Sequence, residues 1–341
     1  MIWPARREAG QDDAMAIFPP KLRSGSSLRV VAPSRSMSII GLEIRSEANR
    51  KLARMGLQVS VGDHVNVCDD FASSPVQQRI ADLHAAFADP QVDGILTVIG
   101  GFNVNQLLTG IDYSLVAANP KVLCGFSDIT ALSNALYAQT GLVGYSGPHY
   151  SSFGMKHHFD YTQAYFEDCV MSGQPIDVAP SLAWSDDQWF IDQETRHAEV
   201  NPGWWVLNEG EATGTIVGGN LCTFNLLQGT SFMPTLAGTV VFVEDDDQVK
   251  PWDFDRDLVS LLQQPGFSGV RALVIGRFQR ATAMTRELLT QIVATKPELH
   301  DIPVIANVDF GHTTPTITFP IGGSVHVGAD GSASHLRLIE H

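Results

Sequence analysis

The first half of the chain alternates short apolar runs with segments that repeat apolar residues at helical spacing. The run SLRVVAPS predicts a strand, and the next segment, GLEIRSEANRKLARMG, predicts a helix that ends at its last glycine. The same alternation returns in VQQRIADLHAAFADP, a predicted helix, and in GILTVIGG, a continuous apolar run typical of a strand buried in a parallel sheet. Alternating strands and helices predict βαβ units, and therefore a parallel sheet covered by helices on both faces.

Residues 155 to about 208 break this alternation. The stretch WSDDQWFIDQETRHAEVNPGWW is polar, aromatic and rich in turn residues, as in long connections that carry function. After it the alternation resumes with EGEATGTIVGGNL and AGTVVFVEDDD, and the chain ends in PTITFPIGGSVHVGADGSASHLRLIE, which predicts β-ribbons. The pattern therefore predicts two α/β regions separated by an irregular connection.

Charge and cysteine content narrow the possible functions. The 341 residues include 22 basic and 37 acidic side chains, a net charge of −15 that repels phosphate backbones, so no nucleic-acid polymer is expected as a partner. None of the four cysteines belongs to a CxxC pair, so neither a zinc site nor a disulfide framework is expected, and this usage fits a reducing cytoplasm. No apolar run is long enough to predict a membrane span.

The segment KVLCGFSDIT contains a candidate nucleophile. An apolar run stops at Gly125, Ser127 follows, and a helical pattern begins at once, which is the strand–turn–helix layout of a nucleophile elbow. Serine is also a favoured N-cap, so the alternative is that Ser127 only begins the helix. Position 129 is Ile where the hydrolase elbow G-x-S-x-G has glycine, which argues against a standard α/β-hydrolase.

Two backbone N–H groups near this serine are candidates for an oxyanion hole. The N–H of Asp128 belongs to a predicted helix N-terminus, where backbone donors are free. Gly100 and Gly101 end a neighbouring predicted strand, and the carboxyl ends of parallel strands share one crevice, so this turn can supply a second donor. The alternative is a tight turn or a weak phosphate loop, since the dinucleotide pattern G-x-G-x-x-G is absent.

A serine nucleophile needs a base, and His312 is the best placed of the eleven histidines. It follows an apolar predicted strand in IANVDFGHTTP, although a loop or capping role is equally open; His149, after a Gly-Pro pair, is the second choice. Glu244 in GTVVFVEDDD is the first acid after a buried strand, and is therefore the best candidate to orient the imidazole. The acidic run could instead bind a divalent cation, but no second acidic cluster accompanies it, and no metal is expected.

These segments together resemble the serine LD-carboxypeptidase family, most closely its microcin C immunity peptidase branch. The matching stretches occur in family order from about residue 19 to about residue 325, and include IGGFNVNQLL, GFSDITAL, VFVEDDD and DFGHTTPTITFPIG. The resemblance implies an N-terminal flavodoxin-like or amidotransferase-like parallel-sheet domain and a smaller C-terminal α/β domain with β-ribbons. It also implies a homodimer and an activity that needs no cofactor.

The resemblance further implies a Ser127–Glu244–His312 triad across the domain junction, with the N–H groups of Gly101 and Asp128 as oxyanion donors. On this basis we expect four segments: a flexible N-terminal extension (1–20), an N-terminal α/β domain carrying the nucleophile (21–165), a linker and substrate loop (166–208), and a C-terminal domain carrying the glutamate and histidine of the triad (209–341).

Two classes of small-molecule substrate fit the resemblance. The immunity branch cuts the bond between an aminoacyl or peptidyl carboxyl and a nucleotide phosphoramidate or sulfamoyl group, whereas murein LD-carboxypeptidases remove the terminal D-alanine of a cell-wall tetrapeptide. The stretches GFNVNQLL and WSDDQWFIDQ favour the immunity branch. Trp184 or Trp189 could stack on the adenine or pack at a domain interface, and Asn220 could reach the substrate or only shape a turn. The alternative from another functional class is a non-catalytic protein that only binds a nucleotide-like ligand.

Overall fold

The computed structural model describes residues 16–331 and 333–341, and these residues form two domains, each built on a mixed sheet. The α-helices in this part of the chain are α1 (Leu42–Arg54), α2 (Val76–Ala88), α3 (Tyr113–Ala118), α4 (Ile129–Thr140), α5 (Asp160–Met171), α6 (Leu221–Asn225), α7 (Pro251–Leu262) and α8 (Arg286–Ala294). The strands are β1 (Ser27–Val31), β2 (Gln58–Val61), β3 (Gly94–Thr97), β4 (Val122–Cys124), β5 (Gly144–Ser146), β6 (Ile176–Val178), β7 (Ala183–Trp184), β8 (Glu199–Val200), β9 (Trp205–Asn208), β10 (Gly210–Asn220), β11 (Thr239–Glu244), β12 (Ala272–Gly276), β13 (Val304–Val308), β14 (Phe319–Ile321), β15 (Ser324–Asp330) and β16 (Ala333–Glu340).

The first sheet has the strand order β2-β1-β3-β4-β5-β14. Its first five strands are parallel, in the order of flavodoxin-like folds, as predicted for the N-terminal domain. Strands β3 and β4 are buried along their whole length because helices cover both faces, which explains why their sequences are continuous apolar runs. Strand β14 comes from the C-terminal half of the chain and completes this sheet as an antiparallel edge strand.

The second sheet has eight strands in the order β6-β16-β15-β10-β11-β12-β13-β9. Strands β10 to β13 are parallel to one another, and β15 and β16 form the antiparallel ribbon that the sequence predicts. The fold class is therefore confirmed as α/β with mainly parallel central strands in two domains.

The segments at the predicted domain boundaries are more integrated than the sequence indicates. The predicted linker supplies two edge strands to the second sheet, since β6 pairs with β16 and β9 pairs with β13, and its strands β7 and β8 pair with each other. These strands are too short to show a clear alternation in the sequence. Residues 1–15 of the predicted extension lie outside the described residues. Ile17 differs from the expectation, because its N–H donates to the Gly141 carbonyl at 2.8 Å and its carbonyl accepts from Val143 at 2.9 Å.

The hydrophobic core continues from one domain into the other. Phe242 of β11 packs on Phe319 of β14, with ring centroids 4.7 Å apart, and on Phe310, with centroids 5.4 Å apart. All three rings are buried, and stacked or tilted aromatic pairs of this kind add to the stability that burial provides. Within the described ranges, no helix has the length and apolar character needed to cross a bilayer.

A buried asparagine of helix α4 forms two hydrogen bonds with β10 of the second sheet. The Asn134 amide donates to the Gly218 carbonyl at 2.8 Å, and its Oδ1 accepts from the Gly218 N–H at 3.0 Å. The next residue, Gly219, has φ of +131°, and a Cβ there would lie 2.5 Å from Thr130 Oγ1, so only glycine allows this close approach. The helix that begins just after Ser127 is therefore held against the other domain.

We expect Asn134→Ala to destabilise the protein by about 2–4 kcal/mol, because it leaves both the N–H and the carbonyl of Gly218 buried without a partner. Urea denaturation followed by circular dichroism measures the change. Asn66→Ala is the matched control, since Asn66 is exposed, and should change the unfolding free energy by less than about 0.5 kcal/mol. Equal stability of the two variants would contradict the importance of this contact.

Candidate active site

Ser127 lies in the turn between β4 and α4 with φ of +60°, a left-handed conformation that is uncommon for a residue with a side chain. Glycines make room for this turn: a Cβ at position 100 would lie 2.8 Å from Ser127 Cβ, and one at position 125 would lie 2.1 Å from Thr97 Oγ1. The Ser127 hydroxyl does not cap α4, because its Oγ lies 3.0 Å from His312 Nε2. The turn thus has the strained backbone of a nucleophile elbow rather than that of a simple N-cap.

His312 and Glu244 reach Ser127 from the second domain. Glu244 is the last residue of β11, and His312 follows β13 after a short turn. His312 Nε2 lies 3.0 Å from Ser127 Oγ, within hydrogen-bond distance, and His312 Nδ1–H donates to Glu244 Oε2 at 2.7 Å. Gly311 has φ of +105°, and a Cβ there would lie 2.7 Å from Glu244 Oε2. The structure therefore brings the three residues predicted from the sequence into one hydrogen-bonded chain.

The charges around His312 favour its protonated form. Burial alone would lower the pKa of His312, but the charge of the Glu244 carboxylate and its hydrogen bond, with a further contribution from Asp246, raise the pKa to about 9. Burial, followed by the charges of Glu244 and Asp246, raises the pKa of Asp245 to about 8, so this carboxyl is mostly neutral at pH 7. Glu244 is thus the main group that stabilises an imidazolium, the state that a serine triad must form during acyl transfer.

The predicted oxyanion donors lie beside Ser127. Gly101 and Asp128 line the same cavity as Ser127, and across the described ranges neither backbone N–H has a hydrogen-bond acceptor. The Asp128 carboxylate is engaged elsewhere, since it accepts from the Ser34 hydroxyl and from the Asn103 N–H at 2.9 Å. These bonds hold the turn after Ser127 against the loop after Gly101. The two N–H groups are available for a developing oxyanion, and that role stays a prediction.

The triad opens into a cavity of about 890 Å³ lined by residues of both domains. This volume falls in the range of small-molecule sites. Trp189 lines the cavity and is half-buried. Trp184 does not line it. Its ring lies near the guanidinium groups of Arg277 and Arg280, at 5.2 and 4.4 Å, and lines a separate cavity of about 180 Å³. Of the two predicted tryptophans, Trp189 is therefore the one that can contact a ligand next to Ser127.

Asn220 is buried and its side chain is used within the protein. Its Oδ1 accepts from the Thr223 N–H at 3.1 Å, which caps α6, and its amide donates to Asp245 Oδ1 at 3.2 Å. It is 3% exposed and does not line the large cavity. Of the two roles that the sequence left open, the contacts of Asn220 fit the shaping of a turn rather than contact with a substrate.

Two further residues of the cavity lining are Arg35 and His149. Arg35, which the sequence analysis did not single out, lines the cavity and its Nε donates to the Gly100 carbonyl at 3.3 Å. It follows β1, so the rule that parallel strands end at one shared crevice would have identified it. His149, the second choice of base, also lines the cavity, but burial, followed by the charges of His312 and Arg35, lowers its pKa to about 3, and it has no hydrogen bond to Ser127.

A hydrogen-bonded Ser–His–Glu chain at the junction of two α/β domains is the arrangement of serine-type hydrolases. Two family models match the chain: the LD-carboxypeptidase N-terminal domain over residues 28–147, and the LD-carboxypeptidase C-terminal domain over residues 213–327. The protein belongs to the LD-carboxypeptidase family and is therefore an enzyme of the carboxypeptidase type.

Curated relatives agree with this assignment. The chain is 49% identical to the putative carboxypeptidase YocD of Bacillus subtilis, over 95% of this chain and all of that protein. It is 30% identical to a probable murein peptide carboxypeptidase of Bacillus subtilis, over 89% of each chain. It is also 30% identical to the microcin C7 self-immunity protein MccF of Escherichia coli, over 82% of this chain and 83% of that protein.

Solved structures show the same fold. An MccF-like protein from Bacillus anthracis superposes with a TM-score of 0.95 at 48% identity, covering 96% of this chain and all of that one. The microcin C7 self-immunity protein MccF in complex with aspartyl sulfamoyl adenosine superposes with a TM-score of 0.85 at 26% identity, covering 95% of this chain and 99% of that one.

We expect NMR titration to show that the His312 imidazole stays protonated until the pH reaches about 9. In Glu244→Gln the pKa should fall back towards the ordinary value of 6.5, because the variant lacks the carboxylate that favours the charged ring. The His149 resonances are the internal control and should show a neutral ring in both proteins from pH 5 to 9. A His312 pKa that is unchanged in Glu244→Gln would show that Glu244 is not its main partner.

Proposed function

We propose that this enzyme hydrolyses the bond linking an aminoacyl or peptidyl carboxyl to a nucleotide phosphoramidate or sulfamoyl group. The observation that carries the proposal is the position of Trp189, whose half-buried ring lines the same cavity as Ser127. A half-buried aromatic ring that lines a cavity suits base stacking, which contributes about 1–3 kcal/mol per base. The likeness to MccF, which has been solved with aspartyl sulfamoyl adenosine, supports the same assignment.

The hydrogen-bonded chain supplies each proton transfer of an acyl-enzyme mechanism. Neutral His312 accepts the proton of Ser127 as Oγ attacks the carbonyl, and the charge of Glu244 stabilises the imidazolium. The N–H groups of Gly101 and Asp128 hold the oxyanion. One such donor lowers the barrier by about 2.7–4 kcal/mol. His312 then protonates the leaving nitrogen. In the second half, His312 accepts a proton from water as the water oxygen attacks the acyl carbonyl. His312 then returns this proton to Ser127 Oγ as the free acid leaves.

Removal of the terminal D-alanine from a murein tetrapeptide is the second candidate. The cavity offers one observation in its favour: Arg35, the sole Lys or Arg among the described residues that line it, lies next to the Gly100–Gly101 turn and could pair with a C-terminal carboxylate. Sequence identity does not separate the two candidates, because the murein and microcin relatives are both 30% identical to this chain. A cytoplasmic location and a homodimer, both expected from the family resemblance, belong to this proposal as well.

We expect Ser127→Ala to lower kcat/KM by about 10⁴-fold or more, because the acyl-enzyme can no longer form. The assay follows alanyl sulfamoyl adenosine and a murein tetrapeptide side by side by mass spectrometry, and the proposal requires faster cleavage of the nucleotide. Ser114→Ala, at an exposed serine outside the cavity, is the control and should keep full activity. Near-normal turnover by a folded Ser127→Ala protein would exclude the mechanism, and cleavage of the tetrapeptide alone would favour the second candidate.

The two tryptophans provide a matched pair of variants. Trp189→Ala should raise KM for the sulfamoyl adenosine by about 5- to 150-fold, which corresponds to the loss of about 1–3 kcal/mol of base stacking. Trp184→Ala should leave KM nearly unchanged, because this ring contacts two arginines and does not line the cavity. Steady-state kinetics measures both values. A larger effect of Trp184→Ala than of Trp189→Ala would show that the nucleotide does not lie against Trp189.

A further inference from the structure

The charged side chains that line the active-site cavity are mostly acidic. Across the described residues, the lining contains one guanidinium group, that of Arg35, against five carboxylates. The five carboxylates belong to Asp128, Asp186, Asp187, Asp246 and Asp247.

Three of these carboxylates are already engaged by the protein. Asp128 Oδ2 accepts three hydrogen bonds, from the Ser34 hydroxyl and from the N–H groups of Asn103 and Val104, and Asp128 Oδ1 is buried. Asp187 is bound by the buried guanidinium of Arg196 at 2.8 Å, and Asp186 is bound by Arg280. Because protein donors already bind these three carboxylates, they are poorly placed to pair with a charged ligand.

Asp246 and Asp247 are different. Neither forms a salt bridge with any described residue, Asp246 is half-buried and Asp247 is exposed. One oxygen of Asp246 accepts from the Gln248 N–H at 3.0 Å, which gives the loop its turn and leaves the negative charge uncompensated. Both residues follow Glu244 directly after β11, so this uncompensated charge lies on the side of the cavity from which Glu244 approaches His312.

A buried histidine, His149, also presents a hydrogen-bond acceptor in the cavity lining. His149 lines the cavity, is 2% exposed, and its Nε2 has no hydrogen-bond partner among the residues described. The Thr97 hydroxyl donates to the Cys124 carbonyl at 3.1 Å, so Thr97 Oγ1 accepts from His149 Nδ1–H at 2.8 Å. In that tautomer Nε2 carries a lone pair. His149 Nε2 is thus an unsatisfied acceptor in the cavity lining, which pairs with an N–H donor and not with a carboxylate.

We propose that the cavity selects substrates whose acyl part carries an ammonium group in its side chain, bound next to Asp246 and Asp247, and disfavours acidic acyl parts. This inference rests on the proposed function and names the acyl group that the enzyme prefers. It also separates this chain from MccF, whose solved complex contains an aspartyl group. Because Asp247 is exposed and Asp246 only half-buried, solvent and salt screen both charges, and the preference should be about tenfold to a hundredfold.

The test compares lysyl, alanyl and aspartyl sulfamoyl adenosine, three substrates with the same nucleotide and with a cationic, a neutral and an anionic acyl side chain. For the unmodified enzyme we expect kcat/KM to fall in the order lysyl, alanyl, aspartyl. The double variant Asp246→Asn/Asp247→Asn keeps the shape of the loop and should bring the three values to within a few-fold of one another. Glu298→Gln removes one exposed negative charge outside the cavity and should leave the order unchanged.

Binding to Ser127→Ala separates this inference from the proposed function. Calorimetry with the same three compounds gives dissociation constants that do not depend on turnover, and the lysyl compound should bind about tenfold or more tightly than the aspartyl compound. Binding in that order without cleavage by the unmodified enzyme would refute the proposed function and support the charge preference. Equal binding of the three compounds, tighter binding of the aspartyl compound, or an unchanged order in the double variant would overturn the preference.

Discussion

The active site depends on the contact between α4 and β10. Asn134 satisfies both the N–H and the carbonyl of Gly218, and Ser127 stands immediately before the helix that carries Asn134. On the other side, Asn220 at the end of β10 pairs in register with Glu244 at the end of β11. A shift of the helix along the strand would therefore move the hydroxyl away from its imidazole and carboxylate partners. Hydrogen bonds of 3.0 and 2.7 Å tolerate only a few tenths of an ångström of such movement.

Close backbone packing is the second constraint, and glycines provide it on both sides of the junction. Gly100 and Gly125 leave room for the left-handed turn at Ser127 in the first domain, and Gly311 leaves room for the Glu244 carboxylate in the second. A side chain at any of the three would meet an atom of the triad or of its support at less than 3 Å. These residues therefore decide where the reacting groups can lie, although none of them contributes a reactive side chain.

The sequence predicts the central strands of both sheets. It also predicts the three residues that meet at the junction, because each of them stands where a buried apolar run ends. It does not decide contacts that depend on the packing of distant segments. Trp184 and Trp189 belong to one polar stretch and are equivalent in the sequence. They differ in the structure, because Arg277 and Arg280 lie near the ring of Trp184. The sequence likewise does not show whether the amide of Asn220 caps a helix or contacts a ligand, because the same side chain can do either. The short strands of the predicted linker could not be predicted from the sequence either, because strands of two to four residues carry almost no periodic signal.

The acidic loop after β11 links the choice of substrate to the strength of the base. The carboxylates of Glu244 and Asp246 raise the pKa of His312, and a raised pKa leaves only a small neutral fraction of the imidazole at pH 7. A positive charge bound beside Asp246 would offset part of that field and lower the pKa of the imidazole, because a nearby cation disfavours a second one. A substrate with an ammonium group would then increase the fraction of neutral His312 on binding, whereas an acidic one would reduce it. The same uncompensated charge would therefore act twice on a cationic substrate, once in its binding and once in the activation of Ser127.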